Sequence, residues 1–238
     1  MTGAASAPVR LAVIGAGKMG RAVAALAPER GALVVATLGR GDAVTRASLA
    51  GADVAVEFTE PGSAVPNARA CIAAGCPVVV GTTGWLEALP GLRADVEAAG
   101  GRLLWAANFS MGVNAVLAVA AAAARALRGA GFDAHLVETH HAAKKDAPSG
   151  TALALAHAAE AEWGTPIATT SVRVGHVPGT HELTFDAPFE QVRLTHEARD
   201  RRVFAEGALA AARWLAAERR PGVYTMQDVL APRAGGSE

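Results

Sequence analysis

The chain has 238 residues, in which 22 Lys and Arg are balanced by 22 Asp and Glu, so its formal net charge is zero. This balance provides no overall field that would attract nucleic acid or an anionic membrane. The longest apolar run, residues 116–124, is far too short to span a bilayer. Cys71 and Cys76 have no histidine or second cysteine pair nearby and predict neither a zinc site nor a disulfide framework. We therefore expect a cytoplasmic protein without a metal, a nucleic-acid partner or a membrane segment.

The first half of the chain alternates short apolar segments with helix-like segments. This alternation predicts a parallel sheet, and the strand, glycine turn and helix at its start are typical of a Rossmann-type domain. Ser63 is predicted to cap a helix, and Gly75 and Gly100 stand where helix C-termini favour a left-handed residue. The predicted strands are residues 9–14, 33–38, 53–58, 77–80 and 102–105, and the predicted helices are residues 21–30, 63–74 and 89–99.

The pattern changes after Asn108, where an Ala-rich helix is followed by segments that alternate apolar and polar residues. These segments predict a mixed, largely antiparallel sheet in an α+β domain. We predict an α/β protein with a dinucleotide-binding domain of residues 1–110 and 215–238, and a substrate-binding and oligomerisation domain of residues 111–214. The predicted helices are residues 113–127, 151–163 and 202–217, and the predicted strands are residues 133–139, 171–174, 181–186 and 191–196.

A glycine-rich turn follows the first predicted strand. Its glycines would allow a tight turn and a close approach of the backbone to a pyrophosphate, and the helix N-terminus would favour the phosphate charge. The alternative is a glycine turn that only connects strand and helix. Because the turn lies between a strand and a helix near the N-terminus, we predict that it binds a dinucleotide. The predicted cofactor-binding residues are Gly15, Ala16, Gly17, Lys18, Met19 and Gly20.

The end of the second predicted strand bears on the choice of cofactor. An acidic residue is expected there to hold the ribose hydroxyls of NAD. The sequence has Gly39 at this point, followed by Arg40. We therefore predict that NADPH is preferred, with NADH still possible, and that Arg40 binds the 2′-phosphate. The alternative is that Arg40 is a solvated loop charge.

Two further strand ends are small and polar enough to lie along a cofactor. In open α/β sheets, ligands bind at the carboxyl ends of the parallel strands. Either segment could equally be an ordinary turn. The predicted cofactor contacts are Gly81, Thr82 and Thr83 after one strand, and Ala106, Ala107, Asn108 and Phe109 after the next.

Residues 140–151 bring two histidines, two lysines and an aspartate together in one short segment. The chain has only three lysines, and Lys144 and Lys145 are both here, next to His140 and His141. Lysine and histidine can exchange protons near neutral pH when burial or neighbours shift their pKa, whereas arginine stays charged. This segment is therefore the predicted centre of the chemistry. Lys145 and Asp146 are expected to be structural.

The chain resembles the bacterial 4-hydroxy-tetrahydrodipicolinate reductases, also called dihydrodipicolinate reductases, over nearly its full length. Two departures are a short stretch between the second and third strands, and Gly39 in place of an acidic residue that some members carry. The resemblance is carried by the glycine turn, residues 57–61, 81–84 and 108–114, the specific segment 138–151, and the closing motifs at residues 195–208 and 224–230.

The resemblance implies the reduction of a cyclic imine dicarboxylate by a nicotinamide cofactor, in a homotetramer. It assigns His140 as the proton donor, Lys144 as a catalytic partner that also holds substrate charge, and His141 as a substrate contact. Negative charge that develops in the ring must be protonated, which suits an acid and a cation placed close together. One substrate carboxylate is expected at a helix start, where the same residues could instead serve only as a cap. These predicted substrate-binding residues are Ser149, Gly150 and Thr151.

Two other functions remain open from the residues themselves. One is a different Rossmann dehydrogenase of amino or imino acids, similar to aspartate dehydrogenase. It offers no reason for a Ser-Gly-Thr carboxylate turn beside paired histidines. The other is a non-catalytic NADPH-binding sensor, which would not need His140 and Lys144 to be retained.

Overall fold

The computed structural model describes residues 7–232, which form two compact units. The first unit ends at Phe109 and resumes at Phe204, and the second unit is Ser110–Val203. The predicted second domain extended to residue 214, so it included most of a helix that belongs to the first unit. That helix packs there because Gly207 lies directly against the backbone of Phe109, where a Cβ would overlap the carbonyl oxygen. Residues 1–6 and 233–238 of the predicted first domain lie outside the described residues.

The first unit contains a six-stranded parallel sheet in the order β10-β5-β4-β3-β1-β2. Its central strands have apolar, fully or almost fully buried interiors at residues 11–14, 54–56, 78–80 and 103–104, as expected for a sheet covered on both faces. The last strand pairs with β5, so the end of the chain returns to this sheet. The strands are β1 (Val9–Ile14), β2 (Ala32–Leu38), β3 (Val54–Glu57), β4 (Val78–Val80), β5 (Arg102–Trp105) and β10 (Gly222–Tyr224).

The helices of the first unit follow the predicted pattern, except that the first spans residues 18–26 in place of 21–30, the last was not predicted, and one cap was wrong. The second helix begins at Pro61 with Glu60 as its N-cap, so Ser63 lies inside the helix and does not cap it. Proline at the first helical position fixes the start there. Gly75 and Gly100 have φ of +77° and +58°, as predicted for helix ends. The helices are α1 (Lys18–Leu26), α2 (Pro61–Ala73), α3 (Leu89–Ala98), α6 (Arg202–Ala217) and α7 (Met226–Leu230).

The second unit has a mixed four-stranded sheet in the order β7-β6-β8-β9. The β6–β7 pair is parallel, and the β6–β8 and β8–β9 pairs are antiparallel, so the predicted mixed sheet is confirmed. Among the described residues, no helix has the length and apolar content that crossing a membrane requires. The elements are α4 (Met111–Leu127), β6 (Asp133–His140), α5 (Gly150–Trp163), β7 (Ala168–Arg173), β8 (Thr180–Ala187) and β9 (Glu190–Glu197).

One face of this sheet changes from apolar to polar along its length. Leu136, Leu183 and Phe185 are fully buried in the core that the sheet forms with the Ala-rich helices α4 and α5. Because side chains of a strand alternate between faces, the next residues of β6 on this face are Glu138 and His140. Both are buried. The strand that builds the core therefore also carries ionisable groups into the interior.

Candidate active site

The glycine turn between β1 and α1 is shaped by contacts that leave no room for side chains. Gly15 has φ of +105°, and a Cβ there would overlap the carbonyl of Phe58. A Cβ at Gly20 would overlap the carbonyl oxygen of Gly15. Gly17, the N-cap of α1, instead faces open space, with nothing within 4 Å of a Cβ built on it. Two glycines therefore fold the turn tightly, and the third leaves the helix N-terminus accessible.

This turn fits the pyrophosphate of a dinucleotide. The first backbone N–H groups of a helix have no partners within the helix and attract an anion. Ala16 and Lys18 are exposed and Met19 is half-buried, so the predicted residues border the open space in front of Gly17.

The end of β2 presents both a cation and a carboxylate. The backbone N–H of Gly39 donates to Asp42 Oδ2 at 2.7 Å, which folds the acidic side chain back onto the end of the strand. Arg40 is 89 % exposed, and its Nη2 lies 3.3 Å from Glu60 Oε2. The sequence prediction missed Asp42 because it considered only the residue at the strand end. A tight turn that begins with glycine and ends with aspartate could have indicated this contact.

The ends of β3, β4 and β5 meet at one edge of the sheet. The rings of Phe58 and Phe109 stack edge to face with centroids 5.8 Å apart. The backbone N–H of Thr59 donates to Thr82 Oγ1 at 2.7 Å, and Gly81 leaves no space for a Cβ against the Phe58 ring. Three predicted cofactor residues therefore lie at this edge. Among the other predicted residues, Ala106 is buried, Asn108 is half-buried, and Thr83 and Ala107 are exposed.

Residues 140–151 form the connection from β6 to α5. His140 is the last residue of β6 and is buried, and His141 follows it in a half-buried position. Lys144 Nζ pairs with both carboxylate oxygens of Asp146, at 2.8 and 2.9 Å. Burial lowers the pKa of the His140 imidazole, and the charge of Lys144 lowers it further. The structure therefore brings the predicted acid and cation together, and Asp146 orients the cation.

Ser149 is built into the helix start. Its Oγ accepts a hydrogen bond from the N–H of Ala152 at 3.1 Å and lies 3.1 Å from His181 Nε2. The side chain is buried, whereas Gly150 is exposed and Thr151 is half-buried. The capping role of Ser149 is therefore present in the structure. The first turn of α5 still presents its backbone N–H groups beside Gly150 and Thr151, where an anion would bind.

Glu138 connects several of these elements. It is fully buried, its Oε2 pairs with Nδ1 of His140, and its Oε1 accepts from Arg173 Nη2 at 2.6 Å. Arg173 Nη2 also donates to the backbone carbonyl of Asp146 at 2.6 Å. The N–H of Ser149 lies 3.3 Å from Glu138 Oε1. One carboxylate thus joins the end of β6, the end of β7 and the start of α5.

The pKa values of this cluster follow from burial and from these contacts. Burial raises the pKa of Glu138, but hydrogen bonds from Arg173, Ser171 and His140 outweigh it and lower the value to about 2. Burial lowers the pKa of His140, with Lys144 and Arg173 acting in the same direction and Glu138 opposing them. Burial, reinforced by His140, lowers the pKa of His181 to about 4. Glu138 is therefore an anion at neutral pH, and His181 is neutral.

Ligand-type atoms of Glu138, His140 and His181 lie within 4.8 Å of one another, which would suit a metal ion. Each of the three groups already has a protein partner, because Glu138 binds Arg173 and His140, and His181 binds Ser149. The Arg173 guanidinium also balances the carboxylate charge. The carboxylate charge is therefore balanced by side chains alone, whereas His181 Nδ1 and Arg173 Nε are buried without a hydrogen-bond partner among the described residues.

Sequence reasoning assigned no role to Glu138, Arg173 or His181. Glu138 could have been found, because residues two apart on a strand share a face and Glu138 is two before His140. The other two residues lie 35 and 32 positions from their partners, Glu138 and Ser149. No local signal in the sequence relates such distant positions.

The parallel sheet with its glycine turn and the buried ionisable cluster define a two-unit oxidoreductase with a Rossmann-type domain. Residues 9–109 match the model described as "Dihydrodipicolinate reductase, N-terminus", and residues 112–230 match "Dihydrodipicolinate reductase, C-terminus". The chain therefore belongs to the dihydrodipicolinate reductase family, as its sequence motifs predicted.

Curated relatives align with this sequence over almost the whole chain. A 4-hydroxy-tetrahydrodipicolinate reductase of Acidiphilium cryptum is 38 % identical, covering 94 % of this chain and 98 % of the relative. One of Stenotrophomonas maltophilia is 40 % identical with the same coverages. The dipicolinate-bound dihydrodipicolinate reductase of Paenisporosarcina sp. TG-14 superposes with a TM-score of 0.79 at 22 % identity, covering 92 % of this chain and 97 % of that chain. The last likeness shows the shared fold.

The predicted alternative similar to aspartate dehydrogenase also has a structural counterpart. The aspartate dehydrogenase of Thermotoga maritima superposes with a TM-score of 0.50 at 8 % identity, covering 87 % of this chain and 96 % of that chain. This likeness shows only that the folds are related. The family matches and the relatives at about 40 % identity favour the reductase.

Proposed function

We propose that this chain reduces the cyclic imine dicarboxylate dihydrodipicolinate, derived from its 4-hydroxy-tetrahydro precursor, to tetrahydrodipicolinate in lysine and diaminopimelate synthesis. The proposal assigns the dinucleotide to the first unit and the dicarboxylate to the second. The observation that carries it is the buried His140 at the end of β6, with Lys144 nearby and the first turn of α5 next along the chain.

The second unit supplies groups that suit a dianionic substrate. The backbone N–H groups at the start of α5, at Gly150 and Thr151, bind one carboxylate, and Lys144 holds negative charge when its ammonium turns from Asp146 to the substrate. His141 provides a further contact. Because the carboxylates add negative charge near His140, substrate binding raises the pKa of the imidazole and favours its protonated form.

A reduced dinucleotide held through its pyrophosphate at the glycine turn would supply a hydride to the conjugated ring of the substrate. His140 then donates its proton where negative charge has developed, and Lys144 stabilises that charge. Glu138, an anion at neutral pH, stabilises the imidazolium until its proton is transferred. Burial of His140 keeps water away from the proton being transferred.

We assign NADPH as the preferred cofactor, with NADH as a second substrate. Within residues 7–232, the exposed guanidinium of Arg40 has only Glu60 as an ion-pair partner, at 3.3 Å, and an exposed pair of this kind is weak. Arg40 is therefore available to a 2′-phosphate. Asp42 at the end of β2 gives NADH a carboxylate for its ribose hydroxyls.

The resemblance also implies a homotetramer in the cytoplasm, and we retain both as proposals. The face of the four-stranded sheet that turns away from α4 and α5 carries Val137, Val172 and Thr184, which are half-buried or exposed in the single chain. This face is the surface assigned to assembly. Sedimentation equilibrium would test the tetramer, and a monomer at micromolar concentration would contradict it.

A coupled enzyme assay tests the reductase activity. A condensing synthase generates the substrate from pyruvate and aspartate semialdehyde, and oxidation of NADPH or NADH is followed by absorbance. Rapid oxidation that requires the synthase supports the function, and the ratio of the two cofactors tests the assignment of Arg40. Protein that binds NADPH but oxidises neither cofactor would contradict the proposal and favour the sensor. Reduction of NAD+ or NADP+ with aspartate as the only other substrate would favour the dehydrogenase.

A further inference from the structure

We infer that Glu138 is a positioning residue that holds His140 with a proton on Nδ1, so that Nε2 is the nitrogen that exchanges a proton with the substrate. The inference rests on the proposed role of His140 as the proton donor. Glu138 itself does not touch the reacting atoms and acts through the imidazole.

The first argument is geometric. Glu138 and His140 are two residues apart on β6, so their side chains project from the same face, and Oε2 of Glu138 pairs with Nδ1 of His140. A carboxylate accepts hydrogen bonds and cannot donate one, so the paired nitrogen must carry the proton. The neutral imidazole is therefore held in the Nδ1–H tautomer, and Nε2 has its lone pair.

The second argument concerns the carboxylate. Its other oxygen accepts from Arg173 Nη2 at 2.6 Å, and the backbone N–H of Ser149 lies 3.3 Å away. These donors keep Glu138 ionised, and they fix its orientation from two other elements, β7 and α5. A rotation of the carboxylate away from His140 would break contacts with both elements.

The third argument is the space around Nε2. A Cβ at Gly179 would lie 2.9 Å from His140 Nε2, so a side chain there would press against this nitrogen. The glycine has φ of +153°, a conformation that other residues rarely adopt. Glycine at position 179 therefore leaves space beside Nε2 of His140, the ring nitrogen that does not pair with Glu138.

The tautomer can be measured without substrate and without a variant of Glu138. In protein labelled with ¹⁵N-histidine, nitrogen NMR above neutral pH distinguishes protonated from unprotonated ring nitrogens, and His140→Gln identifies the His140 signals. We expect a protonated Nδ1 and an unprotonated Nε2. An Nε2–H tautomer overturns the inference, even if the enzyme is fully active. The expected tautomer without reductase activity would contradict only the proposed function.

Glu138→Gln tests the consequence for catalysis. The amide can donate as well as accept and carries no charge, so it neither fixes the tautomer nor stabilises the imidazolium. We expect kcat to fall at least about tenfold with little change in KM. The reaction needs protonated His140, so kcat falls as pH rises through its pKa. Losing the carboxylate lowers that pKa, and the alkaline limb of kcat moves to lower pH.

Other charged and titratable groups also surround His140, so the controls must leave them unchanged. Lys144, Arg173 and His181 lower its pKa or share its pocket, and none of them is changed in Glu138→Gln. Glu190→Gln makes the same chemical change at an exposed residue of β9, which pairs with Ala187, six positions along β8 from the residue that pairs with Glu138. We expect this control to keep the wild-type pH profile. If the alkaline limb of the kcat profile lies at the same pH in Glu138→Gln as in the wild-type protein, the inference is overturned.

A double variant separates positioning from a structural role. If Glu138 acts through the imidazole, Glu138→Gln costs little further activity in a His140→Gln background. An equal loss in both backgrounds means that Glu138 supports the fold or the substrate directly, and overturns the inference. If Glu138→Gln does not fold, Glu138→Asp replaces it as a variant that retains the charge. The tautomer of His140 in the wild-type protein still tests the inference in that case.

Discussion

The two units carry their functional features in different ways. In the first unit the glycine turn and the strand ends depend on backbone shape, because Gly15 and Gly20 lie where any Cβ would overlap a carbonyl. In the second unit the site depends on ionisable side chains that are buried together, with Glu138, His140 and His181 all less than a tenth exposed. A site made by backbone is specified within a few consecutive residues. A site made by buried side chains needs partners from distant elements.

The largest effects are expected in the second unit, at the two groups that we propose to be catalytic. His140→Gln should lower kcat by about 10²-fold or more, and Lys144→Ala by still more because it also removes charge that holds the substrate. Lys145→Ala is the matched control, since this neighbouring lysine is exposed. Steady-state kinetics with both cofactors provides the measurement. Near-normal turnover in both variants would refute the acid assignment.

In the first unit, adding one methyl group at either of two glycines should affect stability in one variant and dinucleotide binding in the other. Gly20→Ala forces a Cβ onto the Gly15 carbonyl and should destabilise the protein by about 3 kcal/mol. Gly17→Ala adds the same methyl group in open space, so it should keep the wild-type melting temperature and weaken binding of the dinucleotide. Thermal unfolding and titration with NADPH measure the two effects. Equal melting temperatures for both variants would contradict the backbone explanation.

The buried histidines of the second unit should make stability depend on pH. The pKa of His181 is about 4 in the folded protein against 6.5 when exposed, so its neutral form stabilises the fold fully above pH 6.5. This contribution, on the order of 3 kcal/mol, is lost as pH falls from 6.5 towards 4. His181→Gln should therefore flatten the decrease in urea midpoint over this range, and exposed His157→Gln should not. An unchanged slope in His181→Gln would show that other groups dominate.

The smallest effect is expected at the cofactor's ribose. Arg40→Ala should raise the Michaelis constant for NADPH about tenfold and leave that for NADH unchanged, because only the 2′-phosphate needs the cation. Asp42→Asn should act mainly on NADH, whose ribose hydroxyls need the carboxylate. Initial rates with each cofactor decide between these outcomes. An unchanged NADPH constant in Arg40→Ala would mean that Arg40 is only a solvated loop charge.

The errors of prediction also follow this difference between local and distant information. Strands β1 and β5 and helix α6 have the predicted bounds, because each is set by an uninterrupted local pattern. Ser63 was wrongly predicted as a cap because serine favours that position, whereas Pro61 starts the helix two residues earlier. The predicted domain boundary at residue 214 was wrong because the pattern of a helix does not show which unit it packs against.

The sequence by itself determined the order of elements up to residue 217, the parallel and mixed sheets, the glycine turn, and the segment that contains His140, Lys144 and Ser149. These features depend on periodicity and on residues adjacent in the chain. Only the tertiary structure decided that Glu138 pairs with Arg173 and that Ser149 lies against His181. The physical reason is that a buried charge requires partners in three dimensions, and strand pairing and helix packing supply those partners from positions far apart in the sequence.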